Sequence, residues 1–239
     1  LILTDAIGNG VSTSPSNSAS QPGNEFPEFT IADMVRAQHM FLTKNLGIAH
    51  LRAVTGISMG GMQTFQWMTL FPDFIDRAIP IVGTPRQTAY DTLLWETERL
   101  VIDTIPDKSR AMKIVGGIHC LAWTTPNGVN STVPPEALEG LKNGVMTLDT
   151  VNFTRQLDAM LGHDITRPFG GSMKKTAGVV RAKVLVIIAS QDHMVNPAPA
   201  RELARAMNAE ILELTSDFGH AAPTMAMGKV GPAIAKFLK

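Results

Sequence analysis

A chain of 239 residues with 44% apolar side chains can bury the core of one α/β domain. Its 21 basic and 21 acidic residues cancel and form no block of like charge, which argues against nucleic acid or an anionic membrane surface as a partner. The single cysteine excludes an intramolecular disulfide and makes a reducing cytoplasm the expected compartment. No apolar stretch reaches the ~18 residues needed to span a bilayer, and no signal peptide is visible.

Strand-like and helix-like segments alternate along the chain, the pattern of a mostly parallel sheet with helices on both faces. The chain opens at Leu1, inside an expected strand Leu1–Thr4, as a fragment or a processed form would, and a polar loop follows from Gly8 to Asn24. Thr30 and Asp33 form a capping box for a helix whose apolar stripe is Ile31, Met34, Val35, Phe41 and Leu42, and Gly47 ends it. Next come a strand Leu51–Ile57, a helix Met59–Phe71 stopped by Pro72, a strand Arg77–Val82 and a helix from Gln87 to about Ile102. Between 104 and 181 the rhythm changes. Short helical pieces near 135–141 and 148–161 lie between Pro- and Gly-containing loops, which reads as a helical cap inserted into a core of residues 1–103 and 182–239. The alternation resumes with strand Lys183–Ala189, a helix opened by Asn196 and Pro197, strand Glu210–Leu214 and a terminal helix after Gly219.

Gly56-Ile57-Ser58-Met59-Gly60 stands between a strand and a helix, the setting of a nucleophile elbow. The turn is too tight for side chains at the glycines, and it lifts the Ser58 hydroxyl clear of the sheet edge. The helix N-terminus then offers the Met59 backbone N–H to a developing oxyanion. A serine hydroxyl needs a base, and the base needs an orienting acid, in the order Ser, Asp, His. Asp192 follows strand Lys183–Ala189 by three residues, and His220 follows strand Glu210–Leu214 by six. Ser58, Asp192 and His220 are therefore the candidate catalytic residues. Asp217 is the competing acid, but a loop neighbour three residues away rarely reaches the far ring nitrogen.

His193 is expected on the solvated side of its loop. Surface or core packing is the expectation for His39, His50, His119 and His163, contact of a cap histidine, His119 or His163, with substrate being the alternative. Cys120, in the apolar run Ile118–Trp123, reads as a small buried residue. No cluster has metal-ligand spacing, so neither a metal nor a cofactor is expected. Met59 and Met62, beside the nucleophile, are candidates to line an acyl pocket.

The residues resemble a known family. Asp5-Ala6-Ile7-Gly8-Asn9-Gly10 with Ser14-Pro15-Ser16, the run Phe29 to Gln38, Leu46-Gly47-Ile48, Gly56 to Met62 with Phe71-Pro72-Asp73, Asp192 within its Ser-Gln-Asp-His-Met-Val-Asn-Pro loop, and Gly219-His220 are similar to homoserine O-acetyltransferases and their relatives. The resemblance covers nearly everything but the cap. It implies an α/β-hydrolase fold and acyl transfer through an acyl-serine, with acetyl-CoA as co-substrate if the enzyme is a transferase.

Two departures bear on substrate. The family places an aspartate after the catalytic histidine, where this chain has Ala221, and an Arg with a Tyr seven residues later in the cap. The only tyrosine here is Tyr90, outside the cap. Losing charged contacts built for an amino acid weakens its binding by several kcal/mol. The expected reaction is therefore hydrolysis of a small, uncharged acyl ester, with Met62 and Ala221 in the substrate pocket. O-acetyl transfer to a small alcohol or homoserine is the alternative, and an inactive fragment or binding-only domain is the third reading. The resemblance also implies strands before Leu1 that supply a second oxyanion amide, the Ala6–Asn9 loop being the other candidate. A homodimer through the cap is allowed for.

Overall fold

The computed structural model describes residues 1–140 and 148–239. Four strands form one parallel sheet in the order β1 (Leu51–Ile57), β2 (Ile75–Ile81), β3 (Lys183–Ala189) and β4 (Glu210–Leu214). Leu51 pairs with Ile75, Arg77 with Lys183, and Leu185 with Glu210. Their carboxyl ends therefore line up along one edge, where the connecting loops gather.

β3 reads as a continuous apolar run because both its faces are covered. Val184, Val186 and Ile188 point to one side, where α1 (Ile31–Met40), α2 (Met59–Leu70) and α8 (Ala198–Met207) contribute Val35, Phe65, Met68, Ala200 and Leu203. Leu185, Ile187 and Ala189 point to the other and meet Ala222 of α9 (Ala222–Met225) and Val230 of α10 (Met227–Phe237). The Thr30–Asp33 capping box is formed, and one π-helical turn, Phe41–Asn45, follows α1 and leaves Phe41 exposed.

Residues 104–181 hold no strand among the described residues. They form α4 (Lys108–Trp123), α5 (Pro126–Thr132), α6 (Thr150–Leu161) and α7 (Met173–Val179), reached through α3 (Ala89–Thr104). A third apolar cluster joins α3, α4 and α6 to the strand-end loops through Trp95, Met112, Val115, Phe153, Leu157, Met62 and Met194. The sixteen-residue α4 is absent from the sequence reading, because Gly116-Gly117 at its centre lowers helix propensity by about 1 kcal/mol per glycine. Burial of Ala111, Met112 and Val115 and an Asp107 N-cap outweigh that cost. Near 135–141, Pro135–Ala137 forms one 3₁₀ turn, and the end of that expected piece lies outside the described residues.

One expected strand does not form. No ladder includes Leu1–Thr4, and Leu1 and Leu3 are exposed. An extended segment with no neighbouring strand has no cross-strand hydrogen bonds to hold it. Among the described residues, no helix is long and apolar enough to cross a membrane.

Candidate active site

The turn between β1 and α2 is held in an unusual conformation. Ser58 has φ 57° and ψ −118°, a left-handed state that side chains rarely adopt. Its amide donates to Ile81 O at 2.8 Å and its carbonyl accepts from Met62 N at 3.0 Å, so the strain is offset by β2 and α2 together. Gly56 allows the close approach: a Cβ there would overlap the backbone carbonyl of Gly60. The hydroxyl is lifted out of the backbone path as a result.

The hydroxyl meets one imidazole. His220 Nε2 lies 2.8 Å from Ser58 Oγ, and His220 Nδ1 lies 2.7 Å from Asp192 Oδ2. His220 sits on a 3₁₀ turn, Gly219–Ala221, and is buried. Asp192 lies near the start of the β3–α8 loop, where Oδ1 accepts from Met194 N and Val195 N, both at 2.9 Å. The carboxylate therefore has both oxygens occupied and a fixed orientation.

Asp217 has a different partner. Thr125 Oγ1 donates to its carboxylate, so the acid nearer to His220 in sequence holds the loop and not the ring. His193 is exposed, as its place in the loop suggested. His39 stacks on Phe71 at 3.8 Å, and His50 pairs with Asp76 on the surface. His163 is buried, with Nε2 3.0 Å from Thr84 O, and desolvation lowers its pKa to about 4. Burial pushes the Cys120 thiol up, away from the reactive thiolate.

The Met59 amide occupies the first position of α2, where no carbonyl of the helix can accept from it. Beside it, Ile7 and Met59 pack on the cluster that contains Met62. In the Ala6–Asn9 loop, Gly8 N donates to Thr13 O and Asn9 N to Ala6 O, so those two amides close the loop itself. Met62 has no exposed surface and its sulfur faces the Gln87 amide at 3.9 Å, so in this structure it is core and does not line an open pocket. Ala221 is half-buried next to His220. Trp123, which the sequence reading passed over, meets the His220 ring at 5.3 Å. No local pattern marks it, since it ends a helix that the sequence did not announce.

Comparison with known proteins places this geometry. The family model described as alpha/beta hydrolase fold matches residues 1–108. An ethyl acetate hydrolase from Pseudomonas veronii is 31% identical over 242 residues, covering 92% of this chain and 69% of that protein. A homoserine O-acetyltransferase from Methanosalsum zhilinae is 27% identical over 265 residues, covering 95% of this chain but 54% of that protein. The crystal structure of an acetylester hydrolase from Corynebacterium glutamicum superposes with a TM-score of 0.88 at 26% identity, over 98% of this chain and 74% of that one. The elbow, the parallel sheet and these relatives agree, and the chain belongs to the α/β-hydrolase family as a homoserine O-acetyltransferase-like member.

Proposed function

We propose that this chain hydrolyses short-chain acyl esters through an acyl-Ser58 intermediate. One observation carries the reading: a single buried imidazole touches both Ser58 and Asp192. In this reading the three residues are a catalytic triad. His220 Nε2 takes the Ser58 proton as Oγ attacks the ester carbonyl carbon. The charge that develops on the carbonyl oxygen faces the Met59 N–H and the positive end of α2. Collapse expels the alcohol, which leaves with the proton from His220. Water then attacks the acyl carbonyl while His220 takes its proton, and that proton returns to Ser58 Oγ as the acid leaves. Asp192 stays ionised throughout and holds Nδ1–H in place.

Hydrolysis is favoured over transfer by Ala221, an uncharged methyl beside the histidine, and by the likeness to an ethyl acetate hydrolase. The second reading, O-acetyl transfer from acetyl-CoA to homoserine or another small alcohol, draws on the transferase relatives. Acetyl-CoA would then be a co-substrate, and neither reading calls for a cofactor. A binding-only domain has no use for the Asp192–His220–Ser58 chain of hydrogen bonds. We further assign residues 104–181 the part of a cap over the site, the face through which a homodimer would form. A single cysteine fits a reducing cytoplasm.

Fluorophosphonate labelling together with the p-nitrophenol burst from p-nitrophenyl acetate tests the reading. Wild-type protein labels and bursts, whereas Ser58→Ala does neither, with turnover down on the order of 10⁶. Saturable formation of O-acetylhomoserine from acetyl-CoA, faster than ester hydrolysis, would restore the transferase reading.

A further inference from the structure

α3 and α4 bring together a fully buried carboxylate, Glu98, and a partly exposed imidazole, His119, that the triad does not use. Glu98 has no exposed surface, and its Oε1 lies 3.3 Å from His119 Nδ1. Its Oε2 has no hydrogen-bond partner among the described residues. Desolvation holds the Glu98 carboxyl above its ordinary range, with the His119 contact pulling the other way. Placing a carboxyl there costs stability, because a buried charge or bare polar atom loses water without full replacement. What it secures is the orientation of one ring. His119 is boxed by Trp95 at 6.0 Å, Phe153 at 6.4 Å and Trp123 at 6.2 Å. Trp123 is one turn further along α4, on the same face. It meets His220 edge-on, with ring planes at 71° and centroids 5.3 Å apart.

We propose that Trp123 is a positioning residue for His220, held in place by the Glu98–His119 pair, and that its effect falls on deacylation. In the free enzyme His220 has two in-plane anchors, Ser58 and Asp192. Once Ser58 Oγ is acylated it carries no proton, and its hydrogen bond to Nε2 is gone. Asp192 alone then leaves the imidazole free to tilt about a single anchor. Trp123 supplies the second contact that keeps Nε2 aimed at the incoming water. The inference rests on the reading of Ser58 as the acylated residue.

Steady-state and burst kinetics on p-nitrophenyl acetate separate the steps, because kcat/KM reports acylation while kcat reports the slower deacylation. Trp123→Leu is expected to lower kcat about tenfold, with KM falling alongside and kcat/KM nearly unchanged. The burst should become more distinct. His119→Leu and Glu98→Leu should give the same signature. Trp123→Phe, which keeps a ring, and Glu98→Gln, which keeps the hydrogen bond to His119, should restore kcat. Where Trp123→Leu folds poorly, Trp123→Met, which keeps a long apolar side chain without a ring, takes its place and should show the same loss in kcat with kcat/KM nearly unchanged. An unchanged kcat in Trp123→Leu would overturn the proposal. So would a change confined to a higher KM, which would make Trp123 a wall of the substrate site. If wild-type protein shows no Ser58-dependent burst, the reading of the triad fails; if it bursts and Trp123→Leu matches it, only this inference does.

Discussion

Thr125 donates its hydroxyl to the Asp217 carboxylate at 2.8 Å, and its amide to the Asp217 carbonyl oxygen at 3.0 Å. The same hydroxyl accepts from Gly128 N at 3.1 Å, capping α5. The start of α5 is thereby fastened to the loop that carries His220, and α4 packs on the turn that contains it. The position of His220 is set from α4 and the start of α5 as much as from the sheet.

The two acids should therefore separate cleanly. Asp192→Ala is expected to lower kcat about 10⁴-fold, since the imidazole loses its orienting partner. Asp217→Ala should lower it only about tenfold, through a looser loop. Steady-state hydrolysis of p-nitrophenyl acetate measures both. Equal losses, or a larger one at Asp217, would reverse the roles.

Close packing at Gly128 gives a second expectation. A Cβ there would overlap the Asp217 carbonyl oxygen, which is backbone and cannot swing aside. Gly128→Ala should cost about 1–3 kcal/mol of stability and reduce kcat, because the strain is relieved by moving the histidine loop. Gly178→Ala, in α7 where a Cβ meets nothing within 4 Å, is the control and should be neutral or stabilising. Urea unfolding and initial rates on both variants check this.

Asp91 links α3 to the acid loop. Its Oδ2 accepts from Thr88 N and Oγ1, both at 2.7 Å, and its Oδ1 from Asn196 N at 2.8 Å. Asp91→Ala leaves the Asn196 amide without this partner and removes the carboxylate half of the Thr88 capping box, a loss of about 1–3 kcal/mol. Activity should fall with it, since Asn196 closes the loop that begins at Asp192. Asp91→Asn keeps the oxygen that faces Asn196 and should lose less on both counts, as thermal melts and initial rates would report.

Acid sensitivity should come in part from His163. Its pKa is lowered by burial from 6.5 to about 4, so the unfolded chain takes up the proton first as pH falls. Stability is therefore full above about 6.5 and declines to about 4, by about 3 kcal/mol in all, then levels off. Glu98 works in the opposite sense: its raised pKa means stability lost as pH rises above the ordinary carboxylate range. His163→Gln, which keeps a donor for Thr84 O, should flatten the decline between pH 6.5 and 4 in denaturant titrations. A variant with the wild-type slope would exclude His163 as its source.

Local pattern determined a good deal of this protein. The alternation of apolar runs and amphipathic stretches specified a parallel sheet flanked by helices, because strand and helix periods are written in neighbouring residues. The elbow at Ser58 and the loop positions of Asp192 and His220 were legible for the same reason, each lying a few residues past a recognisable strand. Tertiary structure decided the rest. The hydrogen bonds of His220 span 162 residues to Ser58 and 28 to Asp192, and Asp217, already disfavoured as a near neighbour in the loop, has its carboxylate held by Thr125, 92 residues away. α4 forms against its glycines through burial, Leu1–Thr4 forms no strand for want of a neighbour, and Met62 is drawn into the core. Glu98, His119 and Trp123 came into view only once α3 and α4 were packed together. Such contacts depend on which surfaces meet, and no periodicity in the chain records that.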